Sequence, residues 1–157
     1  MSCNKLLLTY SSLPKPPFMN AIFSNVNWLH VLVATIAYYI LGAIWYSFLF
    51  QKKWIQYQNI NVNDPNAKKG VGAIMFLAFI AFFVITFCID VLVHKLAPVG
   101  GITSAVKLGL FTGIGFSAAT LSINYLYTKR PIGLHFIDGI FNIVGQIIAA
   151  IILIMWK

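Results

Sequence analysis

Four apolar runs, each about as long as a bilayer is thick, leave this chain few ways to fold. They cover about Trp28 to Phe50, Val71 to Val93, Ser104 to Tyr127 and Ile132 to Trp156. Crossing a hydrocarbon layer of about 30 Å takes about 20 helical residues. In lipid the backbone must satisfy its own hydrogen bonds within the segment, so each run is predicted to be a helix. The runs are too continuous for the in–out alternation of a barrel strand. The expected fold class is therefore all-α, an integral membrane bundle of four antiparallel helices forming one domain over residues 20–157.

Composition supports lipid as the solvent. Only 9% of the residues are charged and 60% are hydrophobic, against about 25% charged in a soluble domain. The net charge of +8 does not point to nucleic acid, because the bases form no face or recognised motif. They flank the apolar runs instead, where they meet anionic headgroups. Membrane lipid is thus the expected partner. Cys3 and Cys88 are the two cysteines, too few for a disulfide framework or a zinc site.

The connections fit four crossings. Gln51 to Gly70 is polar, with Asp64-Pro65 as a turn signal. His94 to Gly101 holds Pro98 and a glycine pair, and Thr128-Lys129-Arg130-Pro131 is a tight turn that forces the third and fourth runs to be neighbours. Residues 1–19 carry Pro14, Pro16 and Pro17 and an apolar stretch too short for a signal core. They read as a disordered tail, with Met19 as an alternative start.

Four crossings place both termini on one side, face A, with the 94–107 connection. Face B holds the 51–70 loop and the 128–131 turn. Face B carries Lys52, Lys53, Lys68, Lys69, Lys129 and Arg130; face A carries Lys5, Lys15, Lys95, Lys107 and Lys157. The positive-inside rule then puts face B in the cytoplasm and the termini outside.

Polar residues interrupt two of the runs at helical spacing. His135, Asp138, Asn142 and Gln146 are three, four and four apart; Gly109, Gly113, Ser117, Thr120 and Asn124 are four, four, three and four apart. Such residues share one helix face. Stripes of this kind are expensive against lipid and favourable against each other, through close backbone approach and interhelical hydrogen bonds. The expected pairs are Asn124 with His135 and Asp138, Thr120 with Asn142, and Ser117 with Gln146. Asp138 is an ionisable group within a span, a functional candidate by default; its plain alternative is a pair with Arg130, Lys129 or water.

Asp90 and His94, one turn apart, form a second polar pair at the face A end. Two ligands are too few for a metal, and His30 is the sole third candidate, so an interfacial ion pair is expected and no metal or cofactor. Asp90 and Asp138 fall in opposite leaflets, which excludes paired-carboxylate chemistry. Gly113 to Ala118 matches a dinucleotide fingerprint in letters alone. It lacks the preceding strand and the later acidic residue, so small-residue helix packing is the better reading.

The stretch from Asn27 to Trp54 resembles the opening of a family of small bacterial membrane proteins, domain of unknown function 1761. Asn27-Trp28, the run Val31 to Ala34, Leu41-Gly42, Trp45-Tyr46-Ser47, and Lys52 or Lys53 with Trp54 carry the likeness. Phe48 stands where the family often has proline. Asn124, Arg130-Pro131, Asp138 and Phe141 match later parts of the pattern. The resemblance implies a four-span protein of a bacterial inner membrane and brings no activity with it. Laid on the topology, the matching residues Trp45, Tyr46, Ser47, Asn124, Arg130 and Asp138 converge on the face B leaflet, beside His135 and Asn142. The leading expectation is a non-catalytic module binding a ligand, lipid or partner there, alone or as a homo-oligomer or with another membrane protein. The alternative is a small transporter or channel subunit using Asp138 as a proton or cation site. An enzyme is the weakest reading, since His135 with Asp138 is the one conceivable dyad.

Overall fold

The computed structural model describes residues 23, 26–61, 64 and 69–156. The tail at residues 1–19 falls outside them, as do Lys5, Lys15, Lys68 and Lys157 of the charge comparison. Among the described residues the regular structure is entirely helical, and four helices are long and apolar enough to cross a membrane.

The first, α1 (Trp28–Leu49), begins where the Asn27 side-chain oxygen accepts from the backbone N–H of Leu29 at 3.1 Å and of His30 at 3.4 Å. Its last stretch, Trp45–Leu49, opens into a π-helical turn. A short helix, α2 (Gln51–Gln58), follows at once. It occupies ground that the sequence reads as polar loop. QKKWIQYQ is made largely of good helix formers, and Trp54, Tyr57 and Gln58 turn inward from one face. Asn59 stops the helix in the left-handed conformation.

The second crossing is α3 (Val71–Leu96), which ends as Ala97 turns left-handed ahead of Pro98. The third, α4 (Gly101–Tyr127), is π-helical from Gly113 to Ala118. After Tyr127 the Arg130 N–H donates back to the Tyr125 carbonyl and the Lys129 N–H to that of Leu126, with Lys129 left-handed at φ 53°. This closes the helix in a Schellman-type turn. Pro131 then opens α5 (Ile132–Met155), the fourth crossing.

The fourth crossing is the hub. Over half of its most apolar stretch is buried, 56% against 22–28% in the other three. Small residues let its neighbours come close. A side chain on Gly109 would strike the Ile147 backbone, one on Gly113 the Cα of Ile143, and one on Gly145 the Tyr38 ring. Along α4 the contacts run Gly109 with Ile147, Gly113 with Ile143 and Tyr125 with Asp138. Along α1 they run His30 with Trp156, Tyr38 with Asn142 and Tyr46 with Asp138. In both cases partner numbers on α5 fall as the neighbour's rise. Phe76, Leu77, Phe111 and Phe136 are exposed around the outside, an outer surface suited to lipid rather than water.

The two ends of the bundle differ in kind. The face A half has an apolar core of Val31, Ala34, Ile89, Val93, Ala105, Leu108, Ala149, Ala150, Leu153 and Ile154. The face B half is built of aromatic rings around Phe141, which packs against Tyr38, Trp45, Tyr46 and Phe82.

Candidate functional site

Asp138 lies one and a half turns into α5 and is 5% exposed. The Tyr46 hydroxyl donates to its Oδ1 at 2.8 Å. The Tyr125 hydroxyl donates to its Oδ2 at 2.6 Å. These bonds run from two different spans to a third. The Asn142 side chain donates to the Asp138 carbonyl at 2.8 Å and accepts from the buried Tyr38 hydroxyl at 3.0 Å. The Trp45 indole donates to the Ile137 carbonyl at 3.1 Å. Trp54 of α2 stacks edge-on against Tyr46 at 5.4 Å. Tyr57 of α2 lies so close over Gly133 that a side chain there would overlap its ring. The α2 part of the connection between the first two spans thus folds back over this end of the bundle.

The expected residues divide. Trp45, Tyr46, Asp138 and Asn142 come together, and His135 stands against the Tyr125 ring at 5.3 Å. Ser47, Asn124 and Arg130 are exposed. Among the described residues neither Arg130 nor Lys129 forms an ion pair with Asp138, and Asn124 makes no side-chain hydrogen bond to His135 or Asp138. Ser117 does accept from Gln146. Thr120 does not meet Asn142; it is exposed, and Tyr38 takes its place.

One cause accounts for the misplaced residues of α4. A π-helical turn holds an extra residue per turn, so every position beyond it rotates about 100° around the axis. The stripe through Gly109, Gly113 and Ser117 therefore continues to Tyr125, not to Asn124. The sequence offered a hint in GIGFSA, whose two glycines tolerate a distorted helix. Tyr38 and Trp54 were visible as polar-tipped aromatics, but nothing in their spacing ties them to Asp138.

A separate feature opens between α3 and α4. A groove of about 450 Å³ runs along Val84, Ile85, Phe87, Cys88 and Leu92 on one side and Phe116 on the other. Thr112, Ser117 and Gln146 also line it, with the Thr112 hydroxyl donating to the Leu108 carbonyl and the Gln146 amide donating to Ser117. α3 packs on α1 and α5, and α4 packs on α5, which leaves this side between them open. The groove does not reach Asp138.

With this geometry in view, residues 29–154 match the model of a family described as Protein of unknown function (DUF1761). The chain belongs to this family. No curated protein and no solved structure matches it. The DUF1761 match spans all four crossings and both ends of the bundle, so the Asp138 cluster and the groove both lie within the family domain.

Proposed function

We propose that this DUF1761 chain is a non-catalytic membrane protein that binds the apolar chain of a membrane lipid in the groove between α3 and α4. The observation that carries the reading is the make-up of that groove: an almost wholly apolar lining and about 450 Å³ of space. Specific ligand sites have this character, mostly apolar with few placed polar groups, at about 300–1,000 Å³. The groove opens sideways, where lipid chains are the available occupants. The Asp138 cluster supports the reading indirectly. Its two oxygens already hold two tyrosine hydroxyls, so it serves as the clasp that fixes α1, α4 and α5.

Native mass spectrometry from mild detergent tests this. The wild-type chain is expected to retain lipid. Cys88→Trp, which fills the groove, is expected to lose it while circular dichroism stays unchanged. Equal lipid retention in wild type and Cys88→Trp would sink the proposal.

A second reading, a transporter or channel subunit with Asp138 as proton or cation site, draws on the burial of that carboxyl among three spans. It requires liposome flux that Asp138→Asn abolishes with helicity intact.

A further inference from the structure

We infer that Asp90 is a separate proton-binding site at the face A end of the bundle, loaded from the membrane surface through His94. This goes beyond the lipid groove and does not depend on it.

Asp90 is 1% exposed. Among the described residues its Oδ2 is the one buried side-chain nitrogen or oxygen without a hydrogen-bond partner. Such groups are rare in folded proteins, and each needs an explanation, an absent ion or proton among them. The residues on either side of it along the helix, Ile89 and Val93, belong to an apolar core that α4 and α5 complete with Ala105, Ala150, Leu153 and Ile154. Among the described residues no donor comes from that side. The titratable groups that act on the carboxyl are His94 on its own helix and His30 on α1. His30 is engaged elsewhere, with its Nε2 3.2 Å from the Asn27 side-chain nitrogen and its ring stacked on Trp156 at 4.9 Å. The described residues hold no group of three ligands able to bind a metal. A proton needs no such set.

His94 has the geometry of a relay. Its Nδ1 lies 2.9 Å from the Asp90 carbonyl oxygen and 3.4 Å from Oδ2. A carbonyl can only accept, so Nδ1 carries the hydrogen and Nε2 is left as an acceptor. The side chain is 34% exposed while that of Asp90 is 2% exposed. One ring thus joins the surface to the buried oxygen. In the transfer, Nε2 takes a proton from hydronium at the membrane surface, which leaves water. Nδ1 gives its own proton to Oδ2. The N–H bond at Nδ1 breaks, an O–H bond forms, and the ring ends neutral with its hydrogen on Nε2. Release runs the same steps backwards.

The test uses the full chain in liposomes and infrared difference spectra between alkaline and acidic buffer. The carboxyl C=O band gained on acidification is expected to lose a component in Asp90→Asn and to keep that component in Asp138→Asn. After a pH jump, His94→Ala is expected to slow that component about a hundredfold, the lower end of what a positioned acid–base group contributes, and added imidazole to restore it. An Asp90→Asn spectrum identical to wild type would overturn the site. A His94→Ala rate equal to wild type would overturn the relay. The histidine arm keeps Asp90 in place, so it stands even where Asp90→Asn perturbs folding.

Discussion

The chain buries two aspartates, and it treats them in opposite ways. Asp138, near the face B end, has both oxygens occupied by tyrosine hydroxyls from α1 and α4. Asp90, near the face A end, has an oxygen with no hydrogen-bond partner and a histidine at 3.4 Å. On α1 the flanking residues His30 and Tyr46 are sixteen positions apart, about 24 Å of helix. The same side chain is thus a clasp at one end and an open group at the other. The lesson is that burial of a carboxylate does not by itself mark function. What separates the two is how completely the neighbours satisfy it.

The largest expected effect comes from removing the clasp. Asp138→Ala leaves the part-buried Tyr46 and Tyr125 hydroxyls without their acceptor, and each stranded group costs about 1–3 kcal/mol. We expect a loss of about 4 kcal/mol, read by reversible unfolding in mixed micelles. A loss under about 1 kcal/mol would break the comparison, because Asp138 would then be no more tied into the fold than Asp90.

Next is Gly145→Ala. An added side chain there meets the Tyr38 ring, and Tyr38 holds Asn142, which in turn holds the Asp138 carbonyl. Overpacking of this sort costs about 1–3 kcal/mol, and the effect should be seen in the same unfolding assay. Gly115→Ala is the control. Nothing lies within 4 Å of a side chain there, and replacing a helical glycine should gain up to about 1 kcal/mol.

Tyr125→Phe is expected to be smaller, about 1 kcal/mol, the net value of one hydrogen bond. It also tests the register of α4. With Tyr125 on the inner face, Asn124→Ala should change stability by less than about 0.5 kcal/mol, as an exposed position does. The reverse order of the two would mean that the stripe continues to Asn124.

That register marks where sequence reasoning stopped. The four crossings were legible because length and apolarity decide them in lipid. Ser117 with Gln146 and the glycine contacts of the third and fourth helices were legible because helical spacing holds as far as Ser117. Beyond it the π-helical turn breaks the period, so Thr120 and Asn124 were placed inward and Tyr125 was missed. The helix α2 went unread since a short polar segment owes its shape to what it packs on, here Gly133 and Tyr46. The pairing of Asp138 with tyrosines rather than Arg130 was also hidden. Charge alone favours arginine, but Arg130 lies in the exposed turn before Pro131, while two rings from other spans already reach the carboxyl.

The smallest expected effect is the most telling one. Asp90→Asn keeps the volume and removes the charge that no neighbour fully compensates. A buried charge without a full set of partners opposes folding, and its neutral isostere relieves that. The amide also brings a donor and keeps an acceptor at the same site. His94 can still donate to the Asp90 backbone carbonyl, since that atom is not part of the change. We therefore expect stability within about 1 kcal/mol of wild type, on the side of a gain. The mixed-micelle assay decides it. A loss of about 3 kcal/mol or more would mean that Asp90 and His94 form a closed pair like the one at Asp138, so that the contrast between the two ends fails. A neutral or stabilising result would mean that the fold retains a charge it does not need for stability, which is the condition under which a buried carboxylate is free to serve as a proton site.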